Sequence, residues 1–274
     1  MNHNSKNWNI TVIEICYFME VGRGQSLYGA HNQKNADVTA DQPGNITVIQ
    51  GKGHNILVDT GFGNPFFIEA FNAAHMLTPE EYLREVHLSP ADIDTILISH
   101  LHYDHVGFLH LFPNAKVIVQ QQEYEGWKQA VHLPKRYRLV TCYLDPDTLP
   151  ELERIKAAGN LILVQDGEEI YEGIHVYLTP GHSYGTQSVV VETEKGSFVI
   201  CGDSAYTTEN IITMTPMGYG FNQLEMLRSF DKIMELADGK VEHIIPGHDL
   251  TWPDRYAQTR TIKGKRNRVT DVTD

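Results

Sequence analysis

The chain has 274 residues, a length that suits one large domain or two small ones, and 41% hydrophobic with 21% charged residues excludes a disordered or low-complexity polypeptide. Twenty-two Lys plus Arg against 35 Asp plus Glu leave a formal charge of −13, which repels phosphate backbones and anionic lipid surfaces and so argues against nucleic-acid and membrane partners. Three cysteines give no disulfide framework, and Cys16, Cys142 and Cys201 are expected as ordinary buried thiols in a reducing, cytoplasmic compartment.

The first apolar run, Ile10 to Phe18, reads as a strand; Glu14 interrupts it and no small-residue cleavage site follows, against a secretory signal. Gly22 to Gly44, rich in Gly, Asn, Gln and Asp, predicts a long loop. Asn45 to Gln50 and Ile56 to Val58 flank a Gly-Lys-Gly-His-Asn turn and predict a hairpin. Asn64-Pro65 opens a helix to about Met76, and Thr78-Pro79-Glu80-Glu81 has the capping-box spacing that opens another. Thr95 to Ser99 is a near-continuous apolar run, the pattern of a strand covered on both faces. Further strands are expected at Lys116 to Val119, Leu161 to Val164, Ile174 to Leu178, Ser188 to Glu192, Phe198 to Cys201 and His243 to Ile245. Helical spacing marks Gln121 to Ala130 and Asn222 to Leu236, and more weakly Thr148 to Ala158. The end of the chain, Arg260 to Asp274, has five basic residues by Arg268 and almost no apolar ones, which predicts a solvated tail. No stretch approaches bilayer-spanning length.

Histidine is the compositional outlier, with 14 residues and three of them inside Ser99-His100-Leu101-His102-Tyr103-Asp104-His105. This segment begins where a strand ends. Strand alternation puts His100 and His102 on one side, and Asp104 and His105 follow at the turn. Neutral imidazoles and carboxylates are the donor set of zinc and similar divalent ions. Three more single donors follow apolar runs downstream: His182 in Thr179-Pro180-Gly181-His182-Ser183, Asp203 after Cys201-Gly202, and His248 in Pro246-Gly247-His248. Each alone is an ordinary glycine turn with a polar neighbour. Their joint occurrence behind strands points to a metal site at strand ends.

These residues, together with Val58-Asp59-Thr60-Gly61, resemble the metallo-β-lactamase superfamily, whose signature is His-x-His-x-Asp-His followed by a later His, Asp and His. The resemblance spans Asn45 to Asp249. It implies an α/β fold of the αββα sandwich type, forming a single domain over residues 1–259 followed by the polar tail 260–274. It also implies two divalent ions, zinc first with iron, manganese or cobalt as alternatives. His100, His102 and His182 would hold one ion, Asp104, His105 and His248 the other, and Asp203 would bridge them. Within the superfamily, Asp203 stands where true β-lactamases tend to have Cys or Ser, and His102 where flavodiiron enzymes have Glu. Glyoxalase II enzymes share the seven ligands but continue into a helical glutathione-binding region, for which little chain remains.

Two stretches are closer to the N-acyl-homoserine lactone lactonases: Gly181-His182-Ser183-Tyr184-Gly185-Thr186-Gln187-Ser188 and Asp203-Ser204-Ala205-Tyr206-Thr207-Thr208-Glu209-Asn210. In that branch the Tyr three after the bridging Asp, here Tyr206, donates a hydrogen bond to the substrate oxygen. The resemblance implies a small-molecule lactone as partner and is compatible with a homodimer. A metal-bridging hydroxide would attack the lactone carbonyl, Tyr206 would stabilise the charge that develops, and Asp104 would carry the proton to the leaving oxygen. Other lactones, cyclic amides or thioesters are the alternative substrates, with a phosphodiesterase disfavoured by the charge and a non-catalytic metal-binding protein disfavoured by the retention of all seven donors. Phe62, Phe108, Met217 and Phe221 are candidate walls of an apolar acyl pocket.

Overall fold

The computed structural model describes residues 7–27 and 38–273, and its strands form two sheets. In chain order the strands are β1 (Asn9–Gly22), β2 (Thr39–Gly51), β3 (His54–Val58), β4 (Ala73–Ala74), β5 (Thr95–Leu97), β6 (Lys116–Gln120), β7 (Leu161–Val164), β8 (Glu168–Tyr171), β9 (Ile174–Leu178), β10 (Gln187–Thr193), β11 (Gly196–Gly202), β12 (Ile244–Pro246), β13 (Thr259–Thr261) and β14 (Arg268–Asp271). The larger sheet runs β13-β14-β1-β2-β3-β5-β6-β7, with β4 also on β1, and the smaller runs β12-β11-β10-β9-β8. The helices are α1 (Arg23–Ser26), α2 (Pro65–Ala70), α3 (Pro79–Arg84), α4 (Tyr103–Val106), α5 (Gln121–Ala130), α6 (Thr148–Ala157), α7 (Thr208–Thr213) and α8 (Gln223–Leu236).

Period-two alternation divides the apolar residues into three layers. Ile10 and Val12, Ile56 and Val58, Leu97 and Ile118 meet Ile174, Val176, Val189, Val191, Phe198, Ile200 and Ile245 between the sheets. The alternate residues of the larger sheet, such as Ile13, Ile15, Leu57, Ile96 and Val117, bury the outer helices through Phe67, Tyr82, Leu83, Trp127 and Leu152. On the far side Val190, Val199, Cys201 and Ile244 cover Met226, Phe230 and Ile233 of α8. The result is the expected four-layer αββα sandwich. Residues with apolar neighbours on both faces explain why the central strands read as unbroken apolar runs.

Local signals act where they stand. Asn64 accepts a bond from the Phe66 backbone N–H at 3.0 Å and Pro65 fills the first position of α2. Thr78 and Glu81 close the capping box of α3, with the Thr78 N–H donating to Glu81 at 2.9 Å.

Several expectations need correction. The helix opened by Asn64 stops at Ala70, because Asn72 and His75 take left-handed backbone angles (φ 49° and 55°) that let Ala73 and Ala74 pair with Phe18 and Tyr17. The Gly22 to Gly44 loop is shorter than expected: β2 begins at Thr39, and residues 28–37 of that reading lie outside the described residues. Cys16 and Cys201 are buried but Cys142 is exposed.

The largest correction is the C-terminal segment, which forms β13 and β14 and carries β14 against β1 in register Thr11 to Asp271 and Ile13 to Val269. The segment expected as a solvated tail therefore contributes two strands to the larger sheet. Arg268 reaches Glu14 through its Nε at 2.9 Å and its Nη2 at 2.5 Å. Tyr17 also donates to that carboxylate at 2.5 Å. A Glu inside a buried strand is tolerable only when paired in this way, so the charge-rich end of the chain is the partner of the charge in its first strand. Among the described residues no helix is long and apolar enough to cross a membrane.

Candidate metal centre

The parallel strands β3 and β5, and in the other sheet β9, β11 and β12, deliver their C-terminal ends to one edge of the sandwich. His100 follows β5, His182 follows β9, Asp203 follows β11 and His248 follows β12. His102 caps α4, whose first turn supplies Asp104 and His105. Among the described residues these side chains form two donor groups: His100, His102 and His182, and Asp104, His105, Asp203 and His248. All seven donors expected from the sequence are thus brought together.

Their spacing has the dimensions of a coordination shell. His102 Nδ1 lies 3.0 Å from His182 Nε2, and Asp203 Oδ2 lies 3.3 Å from His182 Nε2 and 3.8 Å from His100 Nε2. The other carboxylate oxygen, Asp203 Oδ1, is 3.4 Å from His105 Nε2 and 3.1 Å from His248 Nε2. Asp104 Oδ2 stands 3.4 Å from His105 Nε2 and 3.9 Å from His248 Nε2. Donors about 2.0–2.1 Å from a tetrahedral ion stand roughly 3.3–3.4 Å apart, close to this set. Asp203 Oδ2 is also 3.3 Å from His248 Nε2, so this carboxylate stands between the two groups.

Three of these atoms, His100 Nε2, His105 Nε2 and Asp203 Oδ1, are buried without a hydrogen bond among the described residues, as are the opposite ring nitrogens of His102 and His182, Nε2 and Nδ1. Buried polar atoms left unpaired are costly, and a divalent ion within each group would engage several of them. The residues fit a pair of metal ions.

Other groups aim the donors. His105 Nδ1 lies 2.7 Å from Asp59 Oδ2, and the same carboxylate accepts the Ser99 N–H at 2.8 Å and the Ser99 hydroxyl at 2.7 Å. Asp59 sits at φ 62°, a left-handed conformation that Asp tolerates better than most residues. His248 Nδ1 is 2.8 Å from the Pro43 carbonyl. With the outer nitrogen of each ring so engaged, Nε2 turns inward. Asp59 was legible only as part of a turn, and Pro43 carried no sequence signal because its contribution is a carbonyl.

Electrostatics divide the two groups. Burial holds His100 and His102 well below the ordinary imidazole range and His182 down to about 4, which keeps them neutral and able to ligate. Burial also opposes charge on His105 and His248, but the Asp203 and Asp104 carboxylates outweigh it and raise both.

Above the donors lies a cavity of about 270 Å³, floored by His102, Asp104, Asp203, Tyr206 and His248. The Tyr206 ring packs edge-on against His248 (4.8 Å) and His182 (5.5 Å). The apolar walls are Phe18, Val21, Phe71, Tyr143 and Tyr219. The four residues expected to wall an acyl pocket do not line this cavity. Phe62 is buried one layer behind, stacked on Phe18 at 5.9 Å. Phe108 packs beneath Gly61 and Gly63, Met217 lies in the core under α8, and Phe221 stands behind Tyr219 against Tyr184 and Trp127. Which of several aromatics meets a cavity depends on how separate segments converge.

Residues 39–248 match the family described as the metallo-beta-lactamase superfamily. The chain belongs to this superfamily. Among metallo-β-lactamase relatives it is 30% identical to the N-acyl homoserine lactonase of Bacillus thuringiensis over 85% of this chain and 92% of that protein. It is 31% identical to an N-acyl homoserine lactonase of a Bacillus species, over 91% of this chain and 89% of the relative. A solved structure of an N-acyl homoserine lactone hydrolase, with the product N-hexanoyl-L-homoserine bound at its catalytic metal center, superposes with a TM-score of 0.71 at 25% identity, covering 96% of this chain and 99% of that one.

Proposed function

We propose that the protein is a dinuclear metal-dependent lactonase that opens the ester ring of N-acyl homoserine lactones. The observation that carries this reading is Tyr206 beside a seven-donor centre on the floor of one small apolar cavity. Relatives that cover most of the chain bear the name N-acyl homoserine lactonase, and a structural neighbour holds the ring-opened product at its metal center. His100, His102 and His182 would hold one divalent ion and Asp104, His105, Asp203 and His248 another, zinc first, and such ions when bound would supply Lewis acidity and lower the pKa of water.

The chain's own residues do the rest. Asp203 spans both donor groups and so fixes their spacing. Burial, and then the nearby Asp203 and Asp104 charges, keep the Tyr206 hydroxyl protonated well above the ordinary phenol range. It serves as a donor to the substrate oxygen where negative charge develops. As the ring C–O bond breaks, the acyl carbon keeps the oxygen of water and the departing alkoxide takes a proton. Asp104 is the least buried donor, with 12% of its side chain exposed, and it lines the cavity, which suits it to carry that proton. Phe18, Phe71, Tyr143 and Tyr219 exclude water and hold an acyl chain.

The test is ring opening of hexanoyl and decanoyl homoserine lactones by zinc-reconstituted protein, followed by mass spectrometry of the hydroxy acid product. Turnover that a chelator abolishes is expected. Protein that carries two ions and leaves both lactones intact, while hydrolysing a thioester or phosphodiester, overturns the assignment.

A further inference from the structure

The centre is assembled from loops of two different sheets, and one buried carboxylate outside the donor set touches both sides of its three-histidine half. Glu123 is fully buried in the first turn of α5. Its Oε1 accepts the Leu101 backbone N–H at 2.8 Å and the Trp127 indole N–H at 2.7 Å. Its Oε2 accepts the Ser183 hydroxyl at 2.7 Å and the Gly185 backbone N–H at 2.6 Å. Leu101 lies between His100 and His102, and Ser183 follows His182.

The surroundings are built for this contact. A Cβ on Gly185 would stand 2.4 Å from the Glu123 backbone nitrogen, and one on Gly126 would stand 2.4 Å from the Tyr184 ring. Only glycine at both points lets the 182–186 loop lie against α5. Gln122 adds a bond to the Tyr184 carbonyl at 2.6 Å, and Trp127 sets its ring edge-on to His102 at 5.6 Å. Four donors on two oxygens use all the acceptor positions of an ionised carboxylate. Nothing in the lactone chemistry needs Glu123, since it is absent from the cavity lining.

We propose that Glu123 is a positioning residue that locks the His100–His102 turn to the His182 loop and so sets the affinity of the three-histidine site for its ion. The inference rests on the metal-centre reading above and extends it to a residue outside the donor set. Glu123→Gln discriminates sharply. Leu101 and Trp127 present N–H groups that can only donate, so the amide oxygen stays with them and its NH₂ faces Gly185 and Ser183. Ser183 can rotate to accept, but the Gly185 N–H then meets a donor, and the His182 loop is released.

The experiment is zinc titration of the metal-free full chain against a chromophoric chelator, which yields two stepwise affinities, together with cobalt absorption spectra and thermal unfolding. Glu14→Gln is the control for a lost buried carboxylate whose side chain bonds Tyr17 and Arg268 and none of the seven donors. The expected result is a 10- to 100-fold weaker affinity for one ion, with the second within about threefold of the parent, as befits a donor group that lacks His182. Glu14→Gln should lower thermal stability and leave both affinities unchanged. Ser183→Ala, which removes one donor and keeps the charge, should weaken the same ion less, and it carries the test should Glu123→Gln fail to fold. Parent-like affinities in the variants, or equal losses at both ions, overturn the proposal. A parent chain that takes up no zinc overturns the metal reading itself.

Discussion

Replacing Tyr206 by Phe removes one hydroxyl and leaves a ring wedged edge-on between His248 and His182, so donors and fold should survive. Losing an indispensable oxyanion donor costs on the order of 10²- to 10³-fold. In the proposed centre a metal ion would share the developing charge, so a loss of about 10- to 100-fold in kcat/KM is expected, or about 1.4–2.7 kcal/mol of transition-state stabilisation. The loss should be smaller for an activated aryl ester, whose good leaving group asks little of a donor at the departing oxygen. Because burial and the Asp203 charge hold the phenol far above working pH, its protonation does not change there. The ratio of parent to variant should therefore stay flat between about pH 6 and 9. The assay is initial-rate kinetics on hexanoyl homoserine lactone and an aryl ester across that range, with metal content measured on the same samples. A variant that hydrolyses both substrates like the parent shows that Tyr206 only packs, and a ratio that varies with pH shows that it titrates as an acid or base.

Three further outcomes follow from the geometry. As pH falls, protons should displace the ion of the Asp104–His105–His248 side first, because carboxylates raise His105 and His248 while burial lowers His100, His102 and His182, the last to about 4. Metal content against pH should fall in two steps, and simultaneous release contradicts the division. Asp203→Cys should lower metal content from about two ions per chain and abolish turnover, since one thiolate replaces two carboxylate oxygens that together reach both donor groups; full metal content with parent activity refutes the bridge. Arg268→Ala leaves Glu14, only 2% exposed at its side chain, without its cation and should cost about 3–5 kcal/mol in urea unfolding. A loss below about 1 kcal/mol, the scale of a solvent-screened pair, would mean that the C-terminal strands hold by other contacts.

Features set by short-range chemistry were legible in the chain alone. Strand alternation, the capping box at Thr78 and the donor pattern from His100 to His105 depend on neighbours a few residues apart, and each stands where the pattern put it. The later donors His182, Asp203 and His248 were legible because each directly follows an apolar strand. Tertiary structure decided whatever depends on segments distant in sequence. Glu14 read as a break in an apolar run until Arg268, 254 residues on, supplied its charge partner, and a strand whose inward face is partly ionic has no apolar alternation to reveal it. The cavity walls Phe18, Phe71, Tyr143 and Tyr219 come from separate segments, and side-chain chemistry cannot distinguish them from Phe62 one layer behind. Glu123 carries no motif: its part in the centre comes from a helix packed so closely on the 182–186 loop that two glycines are needed at the contact, an arrangement that exists only once both sheets are in place.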